Sequence, residues 1–363
     1  MLSRRGVFVI SMNLACKSTL FSRTHPYYFI ILSFMDFRTN LPVSQAPFTL
    51  THAHRLFVMG SCFAEQTGQR LRESGFRTVV NPFGVLYNPV SIEQAINRLL
   101  AHKTYEADEL VVHEGLYQSF DHHGSFSNVH AEKALADINH AFRNAVEGLE
   151  TADCLILTLG TAWLYKRVDT NKVVANCHKW PATFFIRERL DVDAFVETFS
   201  QLIGRLLTRR PGLKIILTVS PIRHIKDGLH ANNLSKAVLL LGIETLCQRF
   251  ESVTYYPAYE LLLDDLRDYR FFADDLLHPS ALAQTYIWEH FTETFFSKGT
   301  REMARQVQAI HKAMEHRPFH PKDEAYRRFA QKNLAAIEGL SLSEPALALE
   351  DERAFFERII RDY

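Results

Sequence analysis

Net charge is the first thing this sequence lacks: 41 Lys and Arg stand against 41 Asp and Glu in 363 residues. A chain without a global field has no electrostatic footprint for nucleic acid or an anionic membrane, so neither is expected as a partner. Cysteine is scarce too. The five (Cys16, Cys62, Cys154, Cys177, Cys247) are odd in number, widely spaced and contain no Cys-x-x-Cys pair. That excludes a disulfide framework and fits a reducing, cytoplasmic compartment. No apolar run approaches the ~18 residues of a membrane-spanning helix, so no stable membrane insertion is expected. There is no His-Glu-x-x-His metalloprotease signature, no internal repeat and no low-complexity tract.

What remains is ordinary globular material, 47% hydrophobic and 23% charged, long enough for one large domain or two average ones. The first 34 residues stand apart. Arg4 and Arg5 precede a short apolar run, and Leu14-Ala15-Cys16 faintly suggests a lipoprotein site, but Asn13 occupies the place where a lipobox wants Leu. A start placed too early is the alternative, with Met35-Asp36-Phe37-Arg38 as the native beginning. Residues 1–34 are read as such an extension, 35–298 as the main domain and 299–363 as a C-terminal helical extension.

Short apolar runs ending in Gly or a polar residue mark buried strands: Arg55 to Gly60, Arg77 to Val80, Cys154 to Leu159, Lys214 to Val219 and Val253 to Tyr256. Helical patterns lie between them. One follows Ser61 and runs to about Ser74, one is capped by Ser91, and others cover 131–148, 191–209 and Asn232 to Phe250. The polar stretch 103–130 reads as a loop excursion and Leu164 to Phe185 as a hairpin-like insert. Strands buried on both faces and alternating with helices predict a three-layer α/β/α domain around a five-stranded parallel sheet. Ligand sites in such sheets lie at the carboxyl ends of the strands. Ser61, Gly84, Gly160 to Trp163 and Ser220 to His224 fall just there.

A Ser directly after a strand-ending Gly, at the start of a helix, sits at the positive end of the helix dipole among free N–H groups. It suits a nucleophile and equally suits a plain N-cap. Cys62 is the rival nucleophile. Asp275-Leu276-Leu277-His278 spaces a carboxylate and an imidazole so that the Asp can orient the ring and the His can act as general base. Alone, this spacing is also that of an ordinary loop pair before a helix. Arg223 and His224 at the fourth strand end suit a substrate's oxygens. His122, His123, His178, His224 and His230 raise the alternative of a metal site, although adjacent histidines are poor co-ligands.

Gly60-Ser61-Cys62-Phe63-Ala64 resembles the motif that gives the GSCFA family its name, a bacterial group similar to the SGNH (GDSL-like) hydrolases. The likeness continues through Asn81 to Pro89, Ser119 to His123, Leu159 to Trp163, Val174 to Lys179, Ser220 to His224, Asp227 to Lys236 and Leu266 to Phe272. The resemblance implies a flavodoxin-like SGNH fold in which Ser61 is the nucleophile, His278 the base and Asp275 its partner. It also implies that the N–H groups of Ser61 and Gly84 form an oxyanion hole. The chain departs from the superfamily at the third block, where Thr161-Ala162-Trp163 follows Gly160 and the usual oxyanion Asn is missing. Asn176, with Thr161 second, is the candidate replacement. The expectation is a cofactor-free, metal-free serine hydrolase acting on a small-molecule or glycan ester. An acyltransferase, a metal-dependent hydrolase and a non-catalytic carbohydrate- or partner-binding module are the alternatives.

Overall fold

Five continuous apolar runs form the central sheet: β1 (Leu56–Gly60), β2 (Thr78–Val80), β3 (Cys154–Leu159), β4 (Lys214–Val219) and β5 (Val253–Tyr256). The computed structural model describes residues 38–320 and 323–362; the expectations for residues 1–34 lie outside them. All five strands pair in parallel, in the order β2-β1-β3-β4-β5. This is the doubly wound, flavodoxin-like order, and it reverses direction between β1 and β3. In sheets of this order the loops leaving the carboxyl ends of those two strands diverge, and ligand sites lie there. Residues 60–61 and 160–163 border that place.

Strand alternation feeds two cores. Phe57, Met59, Leu155, Leu157, Ile215 and Leu217 pack with one set of helices, whereas Leu56, Val58, Cys154, Ile156 and Ile216 pack with another. The first set is α2 (Pro89–Leu100), α3 (Ala131–Thr151), α4 (Val192–Arg209) and α5 (Gly228–Arg249). On the opposite face lie α1 (Cys62–Arg72) and α6 (Ala281–Phe295). Right-handed crossovers dictate this division. The step from β1 to β2 runs one way across the sheet and all later steps run the other, so α1 falls on the face opposite α3, α4 and α5.

Several boundaries differ from the sequence reading. Asn88, not Ser91, caps α2: its Oδ1 accepts the Ser91 N–H at 2.8 Å, because Pro89 takes the first helical position, where a missing N–H costs nothing. Helix α5 starts at Gly228, and Asn232 lies inside it, 2% exposed, with Oδ1 accepting the His224 N–H at 2.9 Å. The 103–130 excursion contains a hairpin, Val111–His113 against Leu116–Gln118, closed by Glu114 and Gly115, both at positive φ. Three-residue strands are too short to show a period. The insert is a three-stranded antiparallel sheet of Trp163–Arg167, Val173–Val174 and Phe185–Arg189.

Three further helices follow: α7 (Lys298–Met314), α8 (Glu324–Ser343) and α9 (Glu350–Arg361). They share a small core of Val307, Ile310, Ala330, Ile337, Leu340 and Phe356. This core is pinned to the turn after α1, where the Ala348 N–H reaches Gly75 O at 3.0 Å and Arg77 Nη1 reaches Ala346 O at 2.7 Å.

The junction from β1 to α1 needs a glycine. Gly60 has φ +140°, and a Cβ there would lie 2.1 Å from Thr158 O of the neighbouring strand. Its N–H donates to the side-chain oxygen of Asn81 at 2.8 Å, and the Asn81 amide in turn donates to Glu65 of α1 at 2.8 Å. Glu65 is therefore held by Asn81 and does not reach back to the Ser61 N–H, which bonds Thr158 O instead. Gly60→Ala must push two strands apart and should destabilise the domain by about 3 kcal/mol or more, read as a lowered urea midpoint.

Acid lability is built into the same layer. His122 is 1% exposed, stacked on Phe83 at 4.9 Å, edge-on to Tyr105 at 4.7 Å and bonded through Nδ1 to Ser119 Oγ at 2.9 Å. Burial, reinforced by the Arg98 charge, drives its pKa down to about 3. Burial lowers His52, His178, His224 and His290 as well. His311, bonded to Glu352, is shifted the other way. Below the ordinary histidine pKa near 6.5 the unfolded chain takes up protons that the native chain refuses. The stability from the lowered group is thus fully present above that pH and lost as the pH falls toward the folded values. Urea unfolding should show a free energy that drops by several kcal/mol from neutral pH to about pH 4, with a shallower slope in His122→Phe. A flat profile in the wild-type protein would contradict this account.

Candidate active site at the carboxyl ends of the strands

Ser61 occupies the N-cap of α1 with extended backbone and is 1% exposed. Its Oγ accepts the Phe63 N–H at 3.3 Å. Its own N–H continues the sheet ladder to Thr158 O at 3.1 Å. The next amide, Cys62, is the first residue of α1 and has no hydrogen-bond partner among the described residues. The Cys62 thiol lies 3.5 Å from the hydroxyl of Tyr87.

Asp275 and His278 form a self-contained device. Asp275 Oδ1 accepts the N–H groups of Leu277 and His278, each at 2.9 Å, and Oδ2 takes the His278 Nδ1–H at 2.5 Å. These backbone bonds, first from His278 and then from Leu277, hold the Asp275 carboxyl down to about 2. Leu276 reaches φ +59° to close the turn, an uncommon conformation for a branched side chain. With Nδ1 engaged, Nε2 is left as the ring's acceptor. Helix α6 follows immediately, capped by Ser280.

The helices that follow the two halves pack together on one face of the sheet. Helices α1 and α6 share a core, Arg70 of α1 reaches Thr285 of α6 at 3.2 Å, and Phe76 beyond α1 meets Phe296 beyond α6 at 5.0 Å. The helices therefore run in parallel, and Ser61 and His278, which precede them, lie at the same end. No hydrogen bond joins the two side chains.

Neither amide expected to form the oxyanion hole is free. The Ser61 N–H is used by the ladder, and the Gly84 N–H closes a turn onto Asn81 O at 2.7 Å. Gly84 itself is required at φ +72°, where a Cβ would lie 2.3 Å from the His123 Cβ. Thr161 is likewise committed. Its N–H donates to Tyr87 O at 3.0 Å, and its hydroxyl bonds Ser235 Oγ at 3.0 Å and accepts the Trp163 N–H at 3.1 Å. Short polar side chains beside a strand end find backbone partners first. Asn176 spends Oδ1 on the His178 N–H at 2.8 Å in a turn over Phe120, while its side-chain N–H₂ makes no hydrogen bond.

His224 tucks beneath the site, edge-on to Tyr87 at 5.8 Å and bonded to Gly160 O; burial first, then the Lys236 charge, lowers its pKa to about 4. Arg223 points the other way, with its guanidinium 5.6 Å from the centre of the Phe272 ring. The remaining histidines disperse. His122 and His178 bond Ser119, and His123 bonds Ser125. Among the described residues no group of three or more His, Cys, Asp or Glu side chains is arranged to hold a metal ion. No helix among them is long and apolar enough to cross a membrane, and Cys62, Cys154, Cys177 and Cys247 are free thiols.

Two residues that organise this region escaped the sequence reading. Asn81, at φ +41° and 6% exposed, couples Gly60 to Glu65. Lys236 is 1% exposed and donates to Gly160 O and Ser220 O, both at 2.6 Å, so it ties the carboxyl ends of β3 and β4 together. Burial pushes its ammonium down to about 7. The signal was present: Asn232, Lys236, Leu239, Ile243 and Leu246 recur at helical spacing, which sets a lysine within the buried stripe of α5.

No curated protein and no solved structure matches the chain. The model of the GSCFA family matches residues 55–291, more than half of the chain, and that of the GSCFA domain protein, C-terminal domain, matches residues 307–362. The chain that folds into this doubly wound sheet and its helical C-terminal region belongs to the GSCFA family.

Proposed function

We propose that this chain is a serine-dependent hydrolase of acyl esters on an SGNH-like plan. The observation that carries the reading is the Asp275–His278 pair, oriented by three hydrogen bonds, at the same end of the parallel helices α1 and α6 as Ser61. His278 Nε2 takes the Ser61 proton as Oγ attacks the ester carbonyl. Asp275, a carboxylate at any ordinary pH, holds the ring and stabilises the imidazolium. The imidazolium then protonates the departing alkoxide, leaving an acyl-Ser61 ester. Water, deprotonated by His278, attacks that ester and releases the acid; an acceptor hydroxyl in place of water would make the same enzyme a transferase.

The oxyanion needs donors other than those the family resemblance nominates. Cys62 N–H, the unpaired amide at the positive end of α1, is the first. In α/β-hydrolases the amide of the residue after the nucleophile takes this part. The Asn176 N–H₂ is the second. Its loop contacts Phe120, and the neighbouring His122 and His123 flank Phe83 and Gly84. The engagement of the Ser61 and Gly84 amides favours one other reading, a non-catalytic binding module on the same fold.

A fluorophosphonate probe decides between the two. The wild-type protein should be labelled at Ser61, and Ser61→Ala should lose labelling and 4-nitrophenyl acetate hydrolysis together. An unlabelled wild-type protein would favour the binding module. His278→Asn and Asp275→Asn should each lower kcat by about 10³-fold or more with folding intact. Asn176→Ala should lower turnover by about 10²-fold while leaving KM and folding nearly unchanged. An unchanged rate in that variant would leave Cys62 N–H as the principal donor.

A further inference from the structure

Beyond the nucleophile and its base, a cleft of about 420 Å³ opens at the carboxyl ends of β4 and β5. This is within the ~300–1,000 Å³ of small-molecule sites. One wall is Phe272, whose residue pairs with Pro279 and whose neighbour Ala273 donates its N–H to His278 O at 2.8 Å. The cleft is thus continuous with the turn that carries Asp275 and His278. The other walls carry Arg223, Asn233, Tyr259, Asp264, Arg267, Asp268 and Tyr269, with Leu262 and Leu263 behind.

Three features of this lining point to one ligand chemistry. Rings are presented at its surface: Tyr269 is 63% exposed, 5.7 Å from Phe272, and Tyr259 is half-buried opposite. The guanidinium groups of Arg223 and Arg267 make no ion pair and no hydrogen bond among the described residues, so their planar donors are unspent. Two carboxylates, Asp264 and Asp268, balance the two guanidinium groups, although Asp268 is partly taken by Arg270 at 3.5 Å. Balanced charge disfavours a simple anion, and charged walls disfavour an acyl chain. Unspent planar donors and acceptors beside flat aromatic faces suit a ligand with vicinal hydroxyls around an apolar ring face, which is a pyranose.

We propose that this cleft is a saccharide-binding subsite that holds the glycan part of the substrate while the ester lies at Ser61. The proposal rests on the hydrolase reading only for the position of the ester; binding itself does not require catalysis. Asn233 and the two arginines donate to sugar hydroxyls, Asp264 accepts from them, and Tyr269 stacks on the ring.

Calorimetric titration of full-length Ser61→Ala protein with chitotetraose, xylotetraose and cellotetraose tests it. Saturable binding of at least one is expected, weakened by about tenfold in both Tyr269→Ala and Arg223→Gln, the loss of one or two contacts to the sugar. Melting curves of the variants are the check that they remain folded, and because Tyr269 is exposed its truncation leaves the core untouched. No binding of any of the three at millimolar concentration, equal affinity in both variants, or displacement of the bound sugar by sodium octanoate or inorganic phosphate would overturn the proposal. Fluorophosphonate labelling of wild-type protein reports the hydrolase reading separately. Labelling without sugar binding removes the subsite alone, and sugar binding without labelling removes the hydrolase alone.

Discussion

The close passage of Gly60 against Thr158 is the constraint from which the rest of the site follows. Only a residue without Cβ can turn the chain from β1 into α1 at that separation, and the turn is stabilised from the far side by the Asn81 amide. Because the strand ends abruptly, Ser61 arrives at a helix N-terminus instead of in the sheet, where one amide of the first turn is left without a partner. The same abruptness explains why the Ser61 N–H is unavailable: the ladder extends one residue past the glycine before the helix begins.

Around that junction the domain repeats a pattern of backbone carbonyls held by buried side chains. Lys236 takes Gly160 O and Ser220 O, the His224 ring takes Gly160 O, and His178 takes Ser119 O. Strand ends in an open parallel sheet leave carbonyls that the ladder no longer satisfies. Long or planar polar side chains from the helices and insert satisfy them here. The fold accepts an uncompensated lysine and several neutral histidines in its interior as a result. That composition ties the rigidity of the strand ends to pH, since each lowered group is a proton the native state refuses.

The face that carries α1 and α6 has a second role. It aligns the two helices whose first residues follow Ser61 and His278, and it supports the C-terminal helices through Gly75 and Arg77. Among the described residues the C-terminal region contributes no side chain to the candidate site; it braces the turn at the far end of α1. The cleft beside Phe272 lies at the carboxyl ends of β4 and β5. The device that would activate the nucleophile and the surface that would select the substrate thus hang on the same loop, Phe272 to His278.

The strands, the parallel sheet and the strand-end location of the candidate residues were legible in the sequence, because buried strands are continuous apolar runs and their period needs no partner to be seen. The spacing of Asp275 and His278 was equally legible, since three residues suffice to close their turn locally. Helix starts were legible only where the cap was the first polar residue. At Asn88 the proline displaced the expected cap, and at Gly228 a polar first turn concealed the helix. Which polar groups remain free was a tertiary matter. The Gly84 amide closes a local turn onto Asn81, but the amide of Ser61 and the hydroxyl of Thr161 are consumed by Thr158 and Ser235, partners 97 and 74 residues away whose proximity depends on the tertiary fold. Lys236 shows the same division. Its place in the apolar stripe can be counted along the chain, but the two carbonyls that justify its burial come together only when β3 and β4 pair.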